Sequence, residues 1–206
     1  MSNEVPMKRG LVDREGLESE WAKRLRAKGR PRGLGFNVTR LGHVALRVTD
    51  LERSVEFYTQ GLGFEVSDIY PETMMPGGMA FLRFNADHHG IALIGGAARP
   101  TSSTELHHLA FEVGSLDEVV RARDHLRGMG AVITFEGRRR AGCQIAVEFE
   151  DPDGHALEIY WGLDQIGADG RARLPEEWRA AGSIAEAVAE APAGQDTTIS
   201  DPSLRP

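Results

Sequence analysis

The apolar positions of this chain change period several times, and the changes mark its elements. LGHVALRV, from Leu41, alternates like a half-buried strand, with Val44, Leu46 and Val48 on one face and His43 and Ala45 on the other. Thr49 and Glu52 have the spacing of a capping box. Leu51, Val55 and Tyr58 follow at helical intervals, up to Gly61 and Gly63. FEVSDIY, MAFLRFN and GIALI then read as three strands, separated by the PETMMPGG loop and by a turn at Ala86 and Asp87. The order is β-α-β-β-β.

The same order recurs downstream. HHLAFEV is a strand, Ser115 and Glu118 form a second capping box, and a helix runs to Gly128 and Gly130. AVITFE, CQIAVEF and HALEIYW are strands, with a DPDG turn at 151–154 between the last two. One such unit cannot bury its sheet face alone, so the two copies are expected to pack together. The expectation is an α+β fold of two βαβββ modules, 39–97 and 104–162, within a domain over 39–162. Residues 1–38 form an N-terminal extension. Its Leu17, Trp21 and Leu25 fall on one face of a short helix, expected to dock on the body or on a second subunit; GRPRGLG (29–35) reads as a linker. Residues 163–206 form a C-terminal extension: a helix over 176–191, in which Trp178, Ile184 and Val188 suggest a packing face, and then a disordered polar tail after Pro192.

Composition narrows the function. A chain of 206 residues has room for a well-packed core. Its net charge of −7 opposes broad phosphate-backbone binding, so the Arg138-Arg139-Arg140 run reads as a solvated loop and no nucleic-acid partner is expected. Cys143 is the single cysteine, which rules out an intrachain disulfide and a cysteine zinc site; it reads as a buried, inert thiol. No secretory signal and no apolar stretch able to span a bilayer is present, so a cytoplasmic protein without a membrane partner is expected. Serine-hydrolase and Walker motifs are also missing.

The candidate chemistry lies on the polar strand faces. His43 and His108 open equivalent strands, each with an alanine two residues on (Ala45 and Ala110), and Glu158 in the closing strand shares its face with Ala156 and Tyr160. Two neutral imidazoles and one carboxylate suit Fe(II), or alternatively Mn(II), and leave coordination positions open. The resulting net positive site favours a small anionic chelating substrate. Among the other histidines, His107 is expected to pack on the apolar side of its strand, His125 to be an exposed helix residue and His155 to be structural.

The strings NADHHGIALI, LHHLAFEV, DPDG and LEIYWG resemble the vicinal oxygen chelate (glyoxalase, bleomycin resistance and extradiol dioxygenase) superfamily over residues 40–162, and within it the type I extradiol ring-cleavage dioxygenases. The resemblance implies βαβββ modules paired into a cupped mixed sheet around a metal held by His43, His108 and Glu158. It also implies an acid–base His89, with His88 as the alternative, and a homodimer. Where glyoxalase-like relatives often carry another acid, this chain has Ala92. A histidine and a tyrosine usual in the extradiol enzymes are replaced by Arg139 and Glu148. These two and Tyr160 are candidates for substrate binding: Arg139 suits a second anionic group on the substrate, unless it pairs with Glu148 or both are ordinary exposed residues. The implied function is a non-haem Fe(II)-dependent extradiol-type dioxygenase acting on a substituted catechol or related enolic diol with O2. The alternatives are a metal-dependent isomerase, lyase or transferase of the same superfamily, and a non-catalytic binding or resistance protein.

Overall fold

The computed structural model describes residues 13–29, 40–101, 106–166 and 173–205. The linker expected over 29–35 lies, from residue 30 on, outside the described residues. Helices α1 (Arg14–Leu17) and α2 (Glu20–Arg26) precede β1 (Val44–Arg47), α3 (Leu51–Glu56), β2 (Glu65–Tyr70), β3 (Met79–Arg83) and β4 (Ile91–Ile94). The second module holds β5 (Leu109–Glu112), α4 (Leu116–Gly128), β6 (Ile133–Arg138), β7 (Ile145–Glu150) and β8 (Ala156–Trp161), and α5 (Ile184–Ala189) follows. Two four-stranded mixed sheets result, ordered β1-β4-β3-β2 and β5-β8-β7-β6. In each, the opening and closing strands are parallel neighbours and the other pairs are antiparallel.

The repeat extends to fine detail. Ala45 pairs with Ala92 as Ala110 pairs with Glu158. Each module also carries a bulge in the strand after its helix, between Val66 and Asp68 and between Ile133 and Phe135. Ser115 caps α4 as expected, accepting from the Glu118 N–H. The first cap differs from the expectation: Asp50 accepts from the Arg53 N–H, and Thr49 instead donates its hydroxyl and its N–H to Asp153 Oδ1, at 2.6 and 3.1 Å. Thr49 is thereby spent on joining the modules, and the neighbouring carboxylate takes over the cap.

The modules meet through their helix-bearing faces. Leu46, Val48, Leu82 and Leu93 of the first sheet and Val147, Phe149 and Leu157 of the second belong to one buried cluster with Val119 and Leu126 of α4. The turn that continues α3, Phe57–Gly61, is π-wound. Its Phe57 lies 6.4 Å from the Phe149 ring, and the buried Tyr58 donates its hydroxyl to Asp151 at 3.1 Å. Burial of each such large side chain contributes about 1.5–3 kcal/mol. On the opposite faces the opening strand of each sheet is exposed, at His43, Ala45 and Arg47 and at His108, Ala110 and Glu112, whereas Ala92 and Glu158 beside them are buried.

Three expectations change. Arg138 is not in a solvated loop: it is 1% exposed and lies on the core face of β6, opposite Ile145. It donates from Nε to Gln195 Oε1 (3.0 Å), from Nη1 to the Glu190 carbonyl (2.7 Å) and from Nη2 to the Ala187 carbonyl, so it closes the C-terminal end of α5. The helix expected over 176–191 is instead a 3₁₀ turn (Pro175–Glu177) and the short α5, because Ser183 caps a new start after Gly182. The tail after Pro192 is not disordered. Thr197 and Ile199 are buried, Gln195 donates to the Cys143 and Gly162 carbonyls (2.8 and 3.1 Å), and Asp117 accepts the N–H groups of Ser200 and Asp201. Hydrogen bonds to buried partners hold a segment that has little apolar area of its own.

Candidate metal centre

Strand alternation and the cross-sheet register bring Ala110, Glu158 and Glu148 into line on the open face of the second sheet. His108, one residue ahead of β5, lies over the same face, with Nε2 3.3 Å from Glu158 Oε2. Glu158 is 2% exposed. Burial raises its pKa, and the charge of His108 opposes the rise. Among the described residues, its other oxygen has only a long contact with Gln144 Nε2, at 3.5 Å, and Gln144 Oε1 is buried without a hydrogen-bond partner. A buried carboxylate next to an imidazole and a distant amide is a donor set that a divalent cation would complete, so these residues fit a metal.

The third sequence candidate lies elsewhere. His43 stacks near His89, with ring centroids 4.6 Å apart, on the open face of the first sheet. His88 Nδ1 is 3.0 Å from His89 Nδ1, and Phe81 packs 5.0 Å from the His89 ring. Burial, then the neighbouring His43 and His88, lower the His89 pKa, which favours the neutral ring. Among the described residues of one chain, no three His, Cys, Asp or Glu side chains gather closely enough to hold a metal. Within one chain the candidates thus fall into two separate clusters, His108 with Glu158 and His43 with His89.

Arg139 and Glu148 are brought together in the cleft beside His108. Arg139 Nε donates to Glu148 Oε1 at 2.8 Å, Nη2 donates to the same oxygen, and the guanidinium lies 3.7 Å over the Phe135 ring. The pairing alternative is the one observed. Tyr160 shares the sheet face of Glu158 but pairs with Glu112 and is not among the cleft-lining residues. His107 is exposed instead of packed, with Nδ1 2.7 Å from His108 Nδ1. Sequence reading missed Gln144, for which the polar alternation Gln144, Glu148 was the available signal. Trp21, outside the repeat, was not assigned to this cleft, which it lines together with Trp178.

Residues 40–159 match the model of the Glyoxalase/Bleomycin resistance protein/Dioxygenase superfamily. The chain is 32% identical over 129 residues to 3-methylcatechol 2,3-dioxygenase of Pseudomonas putida, a match covering 61% of this chain and 43% of that one. The chain therefore spans less than half the length of that relative. It is 29% identical over 125 residues to a probable lactoylglutathione lyase of Vibrio cholerae, covering 58% of this chain and 88% of the lyase. The fosfomycin resistance protein FosX of Listeria monocytogenes shares the fold, with a TM-score of 0.51 at 22% identity over 61% of this chain and 95% of that one. Among the described residues, no helix is long and apolar enough to cross a membrane.

Proposed function

The chain belongs to the glyoxalase, bleomycin resistance and dioxygenase superfamily, and from that premise we propose that it is a metal-dependent extradiol-type dioxygenase acting on a substituted catechol or related enolic diol. The observation that carries the reading is Ala92. It stands in the first sheet where Glu158 stands in the second, so the ligand set stops at His43, His108 and Glu158. Three protein ligands leave room for a bidentate diol and for O2.

Because the two modules bury their helix-bearing faces against each other, the set closes between two copies of the chain, His43 of one meeting His108 and Glu158 of the other. The expected state is a homodimer with two equivalent sites. Fe(II) or Mn(II), when bound, supplies the Lewis acidity and redox chemistry for oxygen attack on a chelated diol. His89 is the proton carrier: in the tautomer whose Nδ1–H donates to His88 Nδ1, 3.0 Å away, Nε2 is left to accept the proton of the second diol hydroxyl. The resemblance to 3-methylcatechol 2,3-dioxygenase supports a substrate of this class.

One observation favours a second reading. The chain spans 88% of the Vibrio lyase against 43% of the Pseudomonas dioxygenase, as a metal-dependent lyase or isomerase working without oxygen would. An oxygen electrode separates the two. Protein purified without air, loaded in turn with Fe(II) and Mn(II) and given a catechol panel, is expected to consume oxygen in step with the diol. Conversion of a substrate with no oxygen uptake overturns the dioxygenase reading in favour of the lyase.

A further inference from the structure

Two carboxylates stand side by side at the candidate metal centre. Glu148 on β7 is the cross-strand partner of Glu158 on β8, and both line the cleft with His108. Partners directly opposite in an antiparallel pair have Cβ atoms about 4.5–5.5 Å apart, so the Glu148 carboxylate can swing to the side of Glu158, and like charges so placed repel. In the first sheet the two equivalent places hold Phe81 and Ala92, so the pair of acids belongs to the second sheet. Arg139 takes hold of Glu148 from the far side. Its Nε donates to Glu148 Oε1 at 2.8 Å, its Nη2 donates to the same oxygen, and its guanidinium lies 3.7 Å over the ring of Phe135. Phe135 pairs with Glu148 from β6, across the strand from Glu158, so the clamp sits on the side of Glu148 away from Glu158. The Arg139 N–H donates to the Gln144 carbonyl at 3.1 Å, which fixes the arginine's own backbone. All of these contacts lie within one sheet of one chain, so none waits on a second copy.

We infer that Arg139 is a positioning residue that withholds Glu148 from the metal and so keeps the ligand set at three, which rests on the metal-centre reading proposed above. A glutamate beside a bound divalent cation is itself a good ligand, and a free Glu148 would take a position that three protein ligands leave open. The guanidinium prevents this in two ways. It cancels the charge that would draw Glu148 to a cation, and its planar fork, seated on an aromatic ring, fixes the direction of the carboxylate. A lysine would supply the charge without the fork. The fork is thereby committed within the protein and not to an anionic group of the substrate.

The test uses the full chain and Mn(II) alone, without substrate. Titration calorimetry gives the affinity, and water-proton relaxation gives the number of exchangeable waters left on bound Mn(II). Wild-type protein is expected to leave about three waters, the balance of a six-coordinate ion. Arg139→Met should bind Mn(II) roughly 10–100-fold more tightly, the scale of one added charge-assisted contact, and should lose about one water. Arg139→Met combined with Glu148→Gln should return both readouts to wild-type values. Arg139→Lys, which keeps the charge but not the fork, should fall between wild type and Arg139→Met, and it carries the hydration test should Arg139→Met fail to fold. Unchanged hydration in Arg139→Met overturns the withholding role even where affinity rises, because removal of a nearby cation by itself tightens binding. A lost water that persists in the double variant overturns it too. Either result leaves the metal centre in place. Absence of Mn(II) binding by the wild-type chain overturns the metal centre and the role of Arg139 with it.

Discussion

Ala92 and Glu158 occupy the same place in the two sheets: each is paired in parallel register with the alanine two residues past a strand-opening histidine, Ala45 for one and Ala110 for the other. The position recurs in both sheets, and only the second holds a carboxylate. Ala92→Glu would place a second acid, and a fourth candidate ligand, at a site that is 1% exposed, where an unpaired carboxylate is costly. With metal bound, that acid becomes a ligand and fills a position a diol or O2 needs. The variant is therefore expected to bind Mn(II) more tightly than wild type and to lose oxygen uptake. Titration calorimetry and an oxygen electrode report the two halves, and unchanged oxygen uptake would remove Ala92 from the explanation.

The proposed division of ligands between copies has a sharper consequence. His43→Ala and Glu158→Ala should each fail to retain metal as homodimers. Mixed in equal amounts, unfolded and refolded together, they should regain roughly a quarter of wild-type metal, because half of the dimers are mixed and each mixed dimer rebuilds one whole site. A site closed within one chain would regain none. Elemental analysis after gel filtration decides between the two arrangements.

Most of the element order was legible in the sequence, and so was the equivalence of His43 and His108, because alternation tells which side of a strand is apolar. Alternation does not tell whether two polar faces meet within a chain or between copies; that depends on how the helices pack, and here Phe57 and Tyr58 draw the opposite faces together. It also fails at a bulge. Ile133 and Phe135 read as one face, but the register shift between them sends Phe135 to the side of Glu148 and carries Arg138 onto the core face. Three consecutive arginines then look like a surface run although the first is buried. The tail misled for a related reason: its order comes from hydrogen bonds to Arg138 and Asp117, and such contacts leave no periodic trace.

Arg138 is accordingly expected to act as a structural clasp. Arg138→Met keeps the apolar stem but leaves the Glu190 and Ala187 carbonyls and the Gln195 amide without their donor, at a cost of about 2–4 kcal/mol. Truncation before Pro192 should cost a similar amount, since it removes Gln195 and the buried Ile199. Denaturant melts of the two variants and of their combination test this. The combined change should cost much less than the sum, because both remove the same clasp; strict additivity would show that the two act separately.

The joint between the modules should titrate. His155 Nδ1 lies 2.9 Å from Asp151 Oδ2, and this hydrogen bond, more than the opposing burial, raises the His155 pKa above its ordinary 6.5. Asp151 also accepts the Tyr58 hydroxyl, so the charged pair supports the contact between the end of α3 and the second module. A group whose folded pKa is raised contributes its full stability below the unfolded value and loses it as pH climbs through the folded one. Wild-type stability is therefore expected to decline as pH rises from about 6.5 through the raised value, with the pair fully charged on the acid side of that window. Asp153, next in this network, runs the other way. Burial alone would raise its pKa, but the Thr49 hydroxyl and N–H and the Arg53 guanidinium outweigh it and leave the pKa lowered. Its contribution is complete above the ordinary aspartate range and is lost only on acidification, so the two groups separate on the pH axis. His155→Gln should flatten the decline on the alkaline side and leave the acid limb intact. Equilibrium unfolding at a series of pH values measures both limbs, and an alkaline decline that persists in His155→Gln would assign it to another group.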